Sequence, residues 1–321
     1  MREPPLDLLV VGEINADLLV TGPDVEPAFG QVEKLVSRAV LGVGSSSVIT
    51  ACAAARMGLR TAFAGVVGDD ALGRFMLDAM RARGIDVRGC IVDPVRATGI
   101  SIVLVEESGE RGRAILTAPG AMTALRAADV DHELVATARH VHCGGYFLQP
   151  GLHAGLPDLF SAARGAGATC SLDPNWDPAG TWDAGVRDAI AQCDLFLPNE
   201  AELLAVTGAG TVEEALAVLG RPGLTIAVKR GARGAEWHRG ATHVRLPAPD
   251  VEVIDTTGAG DAFDAGLLHA FLSGEPAERQ LALAVACGSL ATRALGGVEA
   301  QPDLADAQRV AATVVPAGSR A

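Results

Sequence analysis

The sequence predicts an α/β fold, a three-layer α/β/α sandwich with a mostly parallel central sheet, carrying a second, smaller β-sheet as a lid. Three observations predict it. Leu6 to Val11 (LDLLVV) is a continuous apolar run, the pattern of a strand covered on both faces. From His140 onward, strand-like and helix-like stretches alternate at regular intervals. Two strand-rich stretches, 18–41 and 98–117, lie far apart and flank an α/β stretch, as one small sheet built from two excursions of chain would. The chain then divides into a main domain of residues 1–12, 43–96 and 122–321 and a discontinuous lid of residues 13–42 and 97–121.

Taken in order, the first strand ends in Gly12-Glu13-Ile14-Asn15-Ala16-Asp17. No G-x-G-x-x-G follows it, which disfavours a nicotinamide-dinucleotide site there. Asn15 and Asp17 instead put an amide and a carboxylate at a strand exit, where open α/β sheets bind ligands. The pair suits sugar hydroxyls, since both accept hydrogen bonds and Asn also donates; an Asx turn is the alternative. Residues 18–41 read as short antiparallel strands, and 98–117 as a hairpin turning near Ser108-Gly109-Glu110. Between them Gly42 to Ser47 enters the Ala-rich helix Val48–Met57, Thr61–Val67 is a strand, and Gly68-Asp69-Asp70 caps a helix over Ala71–Arg83. Strands are expected at His140–Cys143, Ala168–Asp173, Asp194–Leu197 and Thr225–Val228. His140 and His142 read as packed histidines rather than metal ligands, and Gln149 as a loop residue without a substrate role. Asn199-Glu200-Ala201-Glu202 opens a helix; Leu281–Leu295 forms another, and 314–321 a frayed tail.

The 321 residues, 49% of them hydrophobic, suffice for a large core. A net charge of −13 argues against a nucleic-acid or anionic-membrane surface, and no signal or transmembrane segment is visible. Six scattered cysteines without a C-x-x-C pair read as reduced thiols of a cytoplasmic protein. Lys34 and Lys229 are the chain's two lysines, and neither follows Gly, so no Walker A motif exists.

Phosphate binding therefore falls to Asp255-Thr256-Thr257-Gly258-Ala259-Gly260-Asp261-Ala262-Phe263. Val251–Ile254 before it reads as a strand end, and Ala262–Leu272 after it is apolar at helical spacing until Ser273-Gly274. Gly258 and Gly260 let the backbone bend and approach a ligand closely. The free amides of the first helical turn, with the helix dipole, make a socket for an anion. A carboxylate there, Asp261, suits either a helix N-cap or a general base beside a phosphate.

This nine-residue string resembles the C-terminal signature of the ribokinase-like (PfkB) carbohydrate kinases. The resemblance extends over nearly the whole chain: N-x-D at Asn15 and Asp17, Gly44 with the Ala-rich helix to Gly58, N-x-x-E at Asn199 and Glu202, and K-x-G-x-x-G at Lys229, Gly231 and Gly234. It implies an ATP- and Mg2+-dependent sugar kinase. Asp261 would be the base, with Gly258, Ala259 and Gly260 forming the anion hole. Asn15, Asp17 and Gly44 would hold the sugar. Asn199, Lys229, Gly231, Gly234, Gly258 and Gly260 would lie on the nucleotide side, and Glu202 would act on magnesium through water. Asp255 is a candidate ligand for a monovalent cation such as K+, or caps the turn. Lid sheets in that family often mediate dimers, so the resemblance implies, by analogy, a homodimer through the lid.

The pattern is departed from at two places. Counting back from Gly58, the family's second Gly becomes Ser45 and its sugar-contacting Asn becomes Ile49, leaving Ser45, Ser46 or Ser47 as the candidate to replace that contact. Met122 stands where relatives often have Asn. The reading is thus a kinase of a small sugar of the ribose, fructose or 2-keto-3-deoxygluconate class. The alternatives are a nucleoside kinase and a non-catalytic sugar- or nucleotide-binding protein.

Overall fold

Strand β1 (Leu6–Val11) explains its own unbroken hydrophobicity: Leu9 and Val11 enter the core on one side of the sheet, Leu8 and Val10 the core on the other. Alternate side chains of a strand point to opposite faces, so a strand buried on both has no polar position. The computed structural model describes residues 6–107 and 112–314. The expected turn at Ser108-Gly109-Glu110 and all of the expected tail beyond Val314 lie outside the described residues.

The other strands are β2 (Asn15–Gly22), β3 (Arg38–Val43), β4 (Thr61–Gly68), β5 (Asp86–Asp93), β6 (Gly99–Glu106), β7 (Arg113–Ala118), β8 (Ala138–Cys143), β9 (Thr169–Leu172), β10 (Leu195–Phe196), β11 (Thr225–Lys229), β12 (Ala235–Arg239) and β13 (Thr242–Leu246). The helices are α1 (Ser46–Arg56), α2 (Ala71–Ala82), α3 (His132–Thr137), α4 (Pro150–His153), α5 (Leu156–Gly165), α6 (Val186–Ala191), α7 (Glu200–Thr207), α8 (Val212–Leu219), α9 (Ala259–Leu272), α10 (Ala277–Ala291) and α11 (Leu304–Val314).

Nine strands form the central sheet in the order β13-β12-β11-β10-β9-β8-β1-β4-β5. It is parallel from β11 to β5 and antiparallel at the β12–β13 edge. Leu134, Phe160, Ile190 and Val206 bring α3, α5, α6 and α7 onto one face, while Val48, Met76, Ala262, Leu283 and Ala307 bring α1, α2, α9, α10 and α11 onto the other. The result is the expected ribokinase-like sandwich. The second sheet runs β3-β2-β6-β7. Its β2–β3 and β6–β7 pairs are antiparallel as expected, but β2 pairs with β6 in parallel, because the two excursions leave the main sheet in the same direction.

The Asx-turn alternative for Asn15 and Asp17 is not what forms: they are alternate residues of β2 and share one face. Two local expectations are corrected. Val251–Ile254 is not a strand: Pro247 and Pro249 cannot donate to a ladder, and after β13 the chain runs without regular structure to Gly258. The helix read as Leu281–Leu295 starts at Ala277 behind Pro276 and stops at Ala291. No helix among the described residues is long and apolar enough to cross a membrane, and all six cysteines are free thiols.

Candidate active site

The parallel strands converge on one end of the sheet. Glu13 follows β1, Gly144 follows β8, Asp173 follows β9, Asn199 follows β10, and Lys229 ends β11. This carboxyl edge is where α/β sheets gather their chemistry.

Helix α9 supplies the centre. Its N-cap is Gly258 at φ 76°, a left-handed conformation that glycine adopts without strain. A Cβ there would lie 2.6 Å from the Gly297 carbonyl oxygen, so the position has no room for a side chain either. Asp261 is therefore the third residue of the helix and not its cap. Its carboxylate reaches the N-terminus of α1, where the Ser46 hydroxyl donates to Oδ1. Burial pushes the Asp261 carboxyl up to about 7; the Ser46 hydrogen bond and Lys229 oppose this, and the charges of Asp173 and Glu13 add to it. A carboxylate poised near neutrality is suited to exchanging a proton with a hydroxyl.

On the lid side, Asn15 Nδ2 donates to Asp17 Oδ1 at 2.9 Å and to Ser101 Oγ at 3.1 Å; Ser101 in turn meets Thr117 at 3.0 Å. Gly44 packs directly on this pair: a Cβ there would lie 2.1 Å from Asp17 Oδ1 and 2.7 Å from Asn15 Nδ2. The three predicted acceptor residues are thus together, on β2 and at the end of β3. Burial pushes Asp17 up to about 7, with the Arg113 guanidinium pulling it down. Met122 and Ile49 are buried core residues. Ile49 packs against Gly258 and Gly297, so position 49 buttresses the anion turn from behind.

The other side is a cleft of about 600 Å³ lined by Lys229, Gly231, Gly234, Val251, Val253, Ala259, Gly260, Phe263 and Gly288 among others. Lys229 borders it, and its ammonium is engaged in a buried cluster, 2.7 Å from Asp173 and 3.2 Å from Asp264. Burial acts to raise Asp173, and Lys229 together with the Asp264 hydrogen bond overcomes it. Asp264 is pushed far up, by burial first, with the Lys229 charge opposing it. Asn199 and Glu202 form a reciprocal capping box on α7. Burial, then the Asp173 charge, lifts Glu202 to about 7. Asp255 caps its own loop, one oxygen accepting from Thr257 N and Oγ1 and the other from Gly296 N.

His140 and His142 are packed as expected, sharing Ser171 Oγ, and burial lowers them to about 3 and about 4. Gln149 donates to the Gly144 and Gly145 carbonyls inside the core. Two site residues had no signal in the sequence: Glu13, which binds Ser45 and Ser47, and Arg113, whose Nη1 crosses from β7 to Thr257 Oγ1 at 2.8 Å; Ser46 was one of three candidate serines that the sequence did not tell apart.

The sequence profile of the pfkB family carbohydrate kinases matches residues 6–304. Fructokinase of Klebsiella pneumoniae is 32% identical over 315 residues, covering 94% of this chain and 97% of its own. The ATP-dependent ribose-1-phosphate kinase of Halopiger xanaduensis is 31% identical over 289 residues, covering 88% and 90%. Arabidopsis thaliana ribokinase, solved with ribose and ATP, superposes with a TM-score of 0.82 at 25% identity, covering 96% of this chain and 99% of that one. Vibrio cholerae fructokinase, solved with fructose, ADP and calcium ion, gives 0.77 at 27% identity over 94% and 98%. The chain belongs to the pfkB family of carbohydrate kinases, phosphotransferases that act on a sugar hydroxyl.

Proposed function

We propose that this kinase transfers the γ-phosphoryl group of ATP to a hydroxyl of a small sugar of the ribose, fructose or 2-keto-3-deoxygluconate class, with Asp261 as the base. The observation that carries the reading is the position of Asp261. It stands in the first turn of α9, directly after Ala259 and Gly260, which line the cleft, and its carboxylate meets the Ser46 hydroxyl at the start of α1. ATP would occupy the cleft, with Asn199, Gly231, Gly234, Gly258 and Gly260 close to it. The acceptor would lie under the lid against Asn15, Asp17 and Gly44. The amides of Ala259, Gly260 and Asp261 would steady the charge on the transferring group.

A divalent cation fits the local charge. Asp173, Glu202, Asp261 and Asp264 face one ammonium, Lys229, Glu13 adds its charge near Asp261, and the surplus of negative charge contributes to the raised carboxyls. Glu202 would hold magnesium through a water, and the bound ion supplies charge neutralisation of the phosphates. The lid favours a sugar over a nucleoside, since β2, β3, β6 and β7 contain no aromatic residue on which a base could stack.

ATP-dependent ADP release across ribose, fructose, 2-keto-3-deoxygluconate, tagatose-6-phosphate, fructose-1-phosphate and adenosine tests the reading, with Asp261→Asn as control. Turnover of one neutral or acidic sugar, lost in the variant, supports it. Turnover of adenosine alone, or ATP binding without turnover on any acceptor, contradicts it.

We also propose a homodimer through the lid. Leu41, Leu18, Ile102 and Leu116 form one cross-strand row on the face opposite Asp17, and Leu41 and Leu116 are 42% and 60% exposed. Sedimentation should give a dimer that Leu116→Lys dissociates; a monomeric wild type refutes the proposal.

A further inference from the structure

The N-termini of α1 and α9 face each other across Asp261, and the α1 side is built with more side chains than a helix cap needs. Glu13, at the end of β1 and 1% exposed, takes three partners from this helix entry: the hydroxyls of Ser45 and Ser47 and the backbone N–H of Ser47. Gly145 leaves room for that carboxylate, since a Cβ there would lie 2.2 Å from its Oε2. Ser45 is held in the left-handed region at φ 71°, unusual for a residue with a side chain, while its hydroxyl also caps the Val48 N–H. With Ser45 and Ser47 both tied to Glu13, Ser46 between them is turned the other way, and its hydroxyl meets Asp261 Oδ1. Thr50 Oγ1, one turn further along α1, reaches the Asp261 backbone carbonyl at 3.4 Å.

We infer that Ser46 is the positioning residue of the base: held by the Glu13 clamp on its two neighbours, its hydroxyl keeps the Asp261 carboxylate ionised and turned toward the acceptor. This rests on the reading of Asp261 as the base.

The charged groups that face Asp261 explain why it needs such a donor. Glu13 comes from β1, Asp173 from the loop after β9, Glu202 from α7 and Asp264 from the next turn of α9 itself; Lys229, at the end of β11, opposes them. From the lid, Arg113 reaches Thr257 in the same turn. Lys229 is committed to Asp173 and Asp264, so it acts on Asp261 only through space. Among the described residues, Ser46 is the side chain that donates to Asp261 Oδ1. A hydrogen bond to the ionised form favours it, so loss of the hydroxyl favours the protonated, inactive carboxyl.

The test is the pH dependence of kcat/KM on the best sugar of the panel, for wild type, Ser46→Ala, Ser46→Gly and Ser46→Thr, with melting temperature recorded for each. The acid limb should move up by about one pH unit in Ser46→Ala and Ser46→Gly and stay at the wild-type position in Ser46→Thr. A residue that only supports the fold would lower the melting temperature without moving the limb. Unshifted limbs in both folded deletion variants overturn the inference, as does a Thr variant shifted as far as Ala. Should one deletion variant fail to fold, the other decides. Asp261→Asn separates the two levels. If that variant retains turnover, the base reading falls; if it is inactive while the Ser46 limbs are unshifted, only the present inference falls.

Discussion

The two sides of Asp261 are built from different materials. Toward the cleft, the site is mostly backbone: the Gly258–Asp261 turn at the start of α9, the Gly231–Gly234 turn after β11, and the small residue Gly288 on α10. Toward the lid it is mostly side chains: Asn15, Asp17, Ser101 and Thr117 in one hydrogen-bonded chain, Ser46 against Asp261, and Arg113 against Thr257. Backbone donors serve any phosphate and leave little to vary. Side-chain donors can be exchanged one by one to fit a particular acceptor. With the acceptor placed under the lid as proposed, specificity would be set on the lid side, and substitutions there should change acceptor KM while leaving ATP KM alone.

The largest expected effect falls on the boundary between the two sides. Asp261→Asn keeps the shape and removes the base, so kcat should fall by about 10²–10⁴-fold with both KM values little changed. The wild-type profile carries a sign that sharpens this. Burial raises the carboxyl to about 7 and the base must be ionised, so activity is present above that value and lost as the pH falls through it. A fold-intact Asn variant with near wild-type turnover would remove Asp261 from the chemistry.

The same contrast governs what could be read in the sequence. The backbone-built side was legible, because glycines that serve a turn must stand at fixed spacing within one short string: Gly258 and Gly260 announced α9, and Gly231 and Gly234 the loop after β11. The main sheet was legible for a similar reason, since β1 needs apolar residues on both faces. The side-chain-built side was legible only in part. Asn15, Asp17 and Gly44 were found, but Glu13 acts on residues 32 and 34 positions away, Ser46 on one 215 away and Arg113 on one 144 away. Nothing local distinguishes Ser46 from Ser45 and Ser47; only the Glu13 clamp, a tertiary fact, turns one of them inward. The misread of Val251–Ile254 has the opposite cause. Its β-branched composition is strand-like, yet Val251 and Val253 line the cleft, and Val253 and Ile254 are each 58% exposed.

An intermediate effect is expected from Gly44→Ala. The added Cβ would come within 2.1 Å of Asp17 Oδ1, and the Asn15–Asp17 pair must move to admit it. Displacing acceptor contacts by such an amount costs on the order of 10–100-fold in acceptor kcat/KM. Steady-state kinetics should find ATP KM within a factor of about two of wild type, since the cleft is untouched. An equal rise in both KM values would break the division into two sides.

The smallest expected effect is the most informative about how the sides communicate. Arg113 belongs to the lid by sequence and to the anion turn by contact, and its Nη1–Thr257 bond fastens β7 over the site. The same guanidinium holds down the buried Asp17 carboxyl. If the bond acts as a latch, Arg113→Ala loosens closure over the acceptor, and acceptor KM rises by about 2–10-fold, the worth of one hydrogen bond. If instead the guanidinium stabilises charge on the transferring phosphoryl group, kcat falls and acceptor KM stays. The geometry favours the latch, because the partner is a hydroxyl whose own proton goes to Asp255, and a fixed Thr257 is an anchor rather than a ligand. Arg113→Lys discriminates further: it keeps the charge near Asp17 but cannot reproduce the planar fork. A Lys variant that restores acceptor KM would assign the effect to charge on Asp17, and one that behaves as Ala would assign it to the bond that closes the lid.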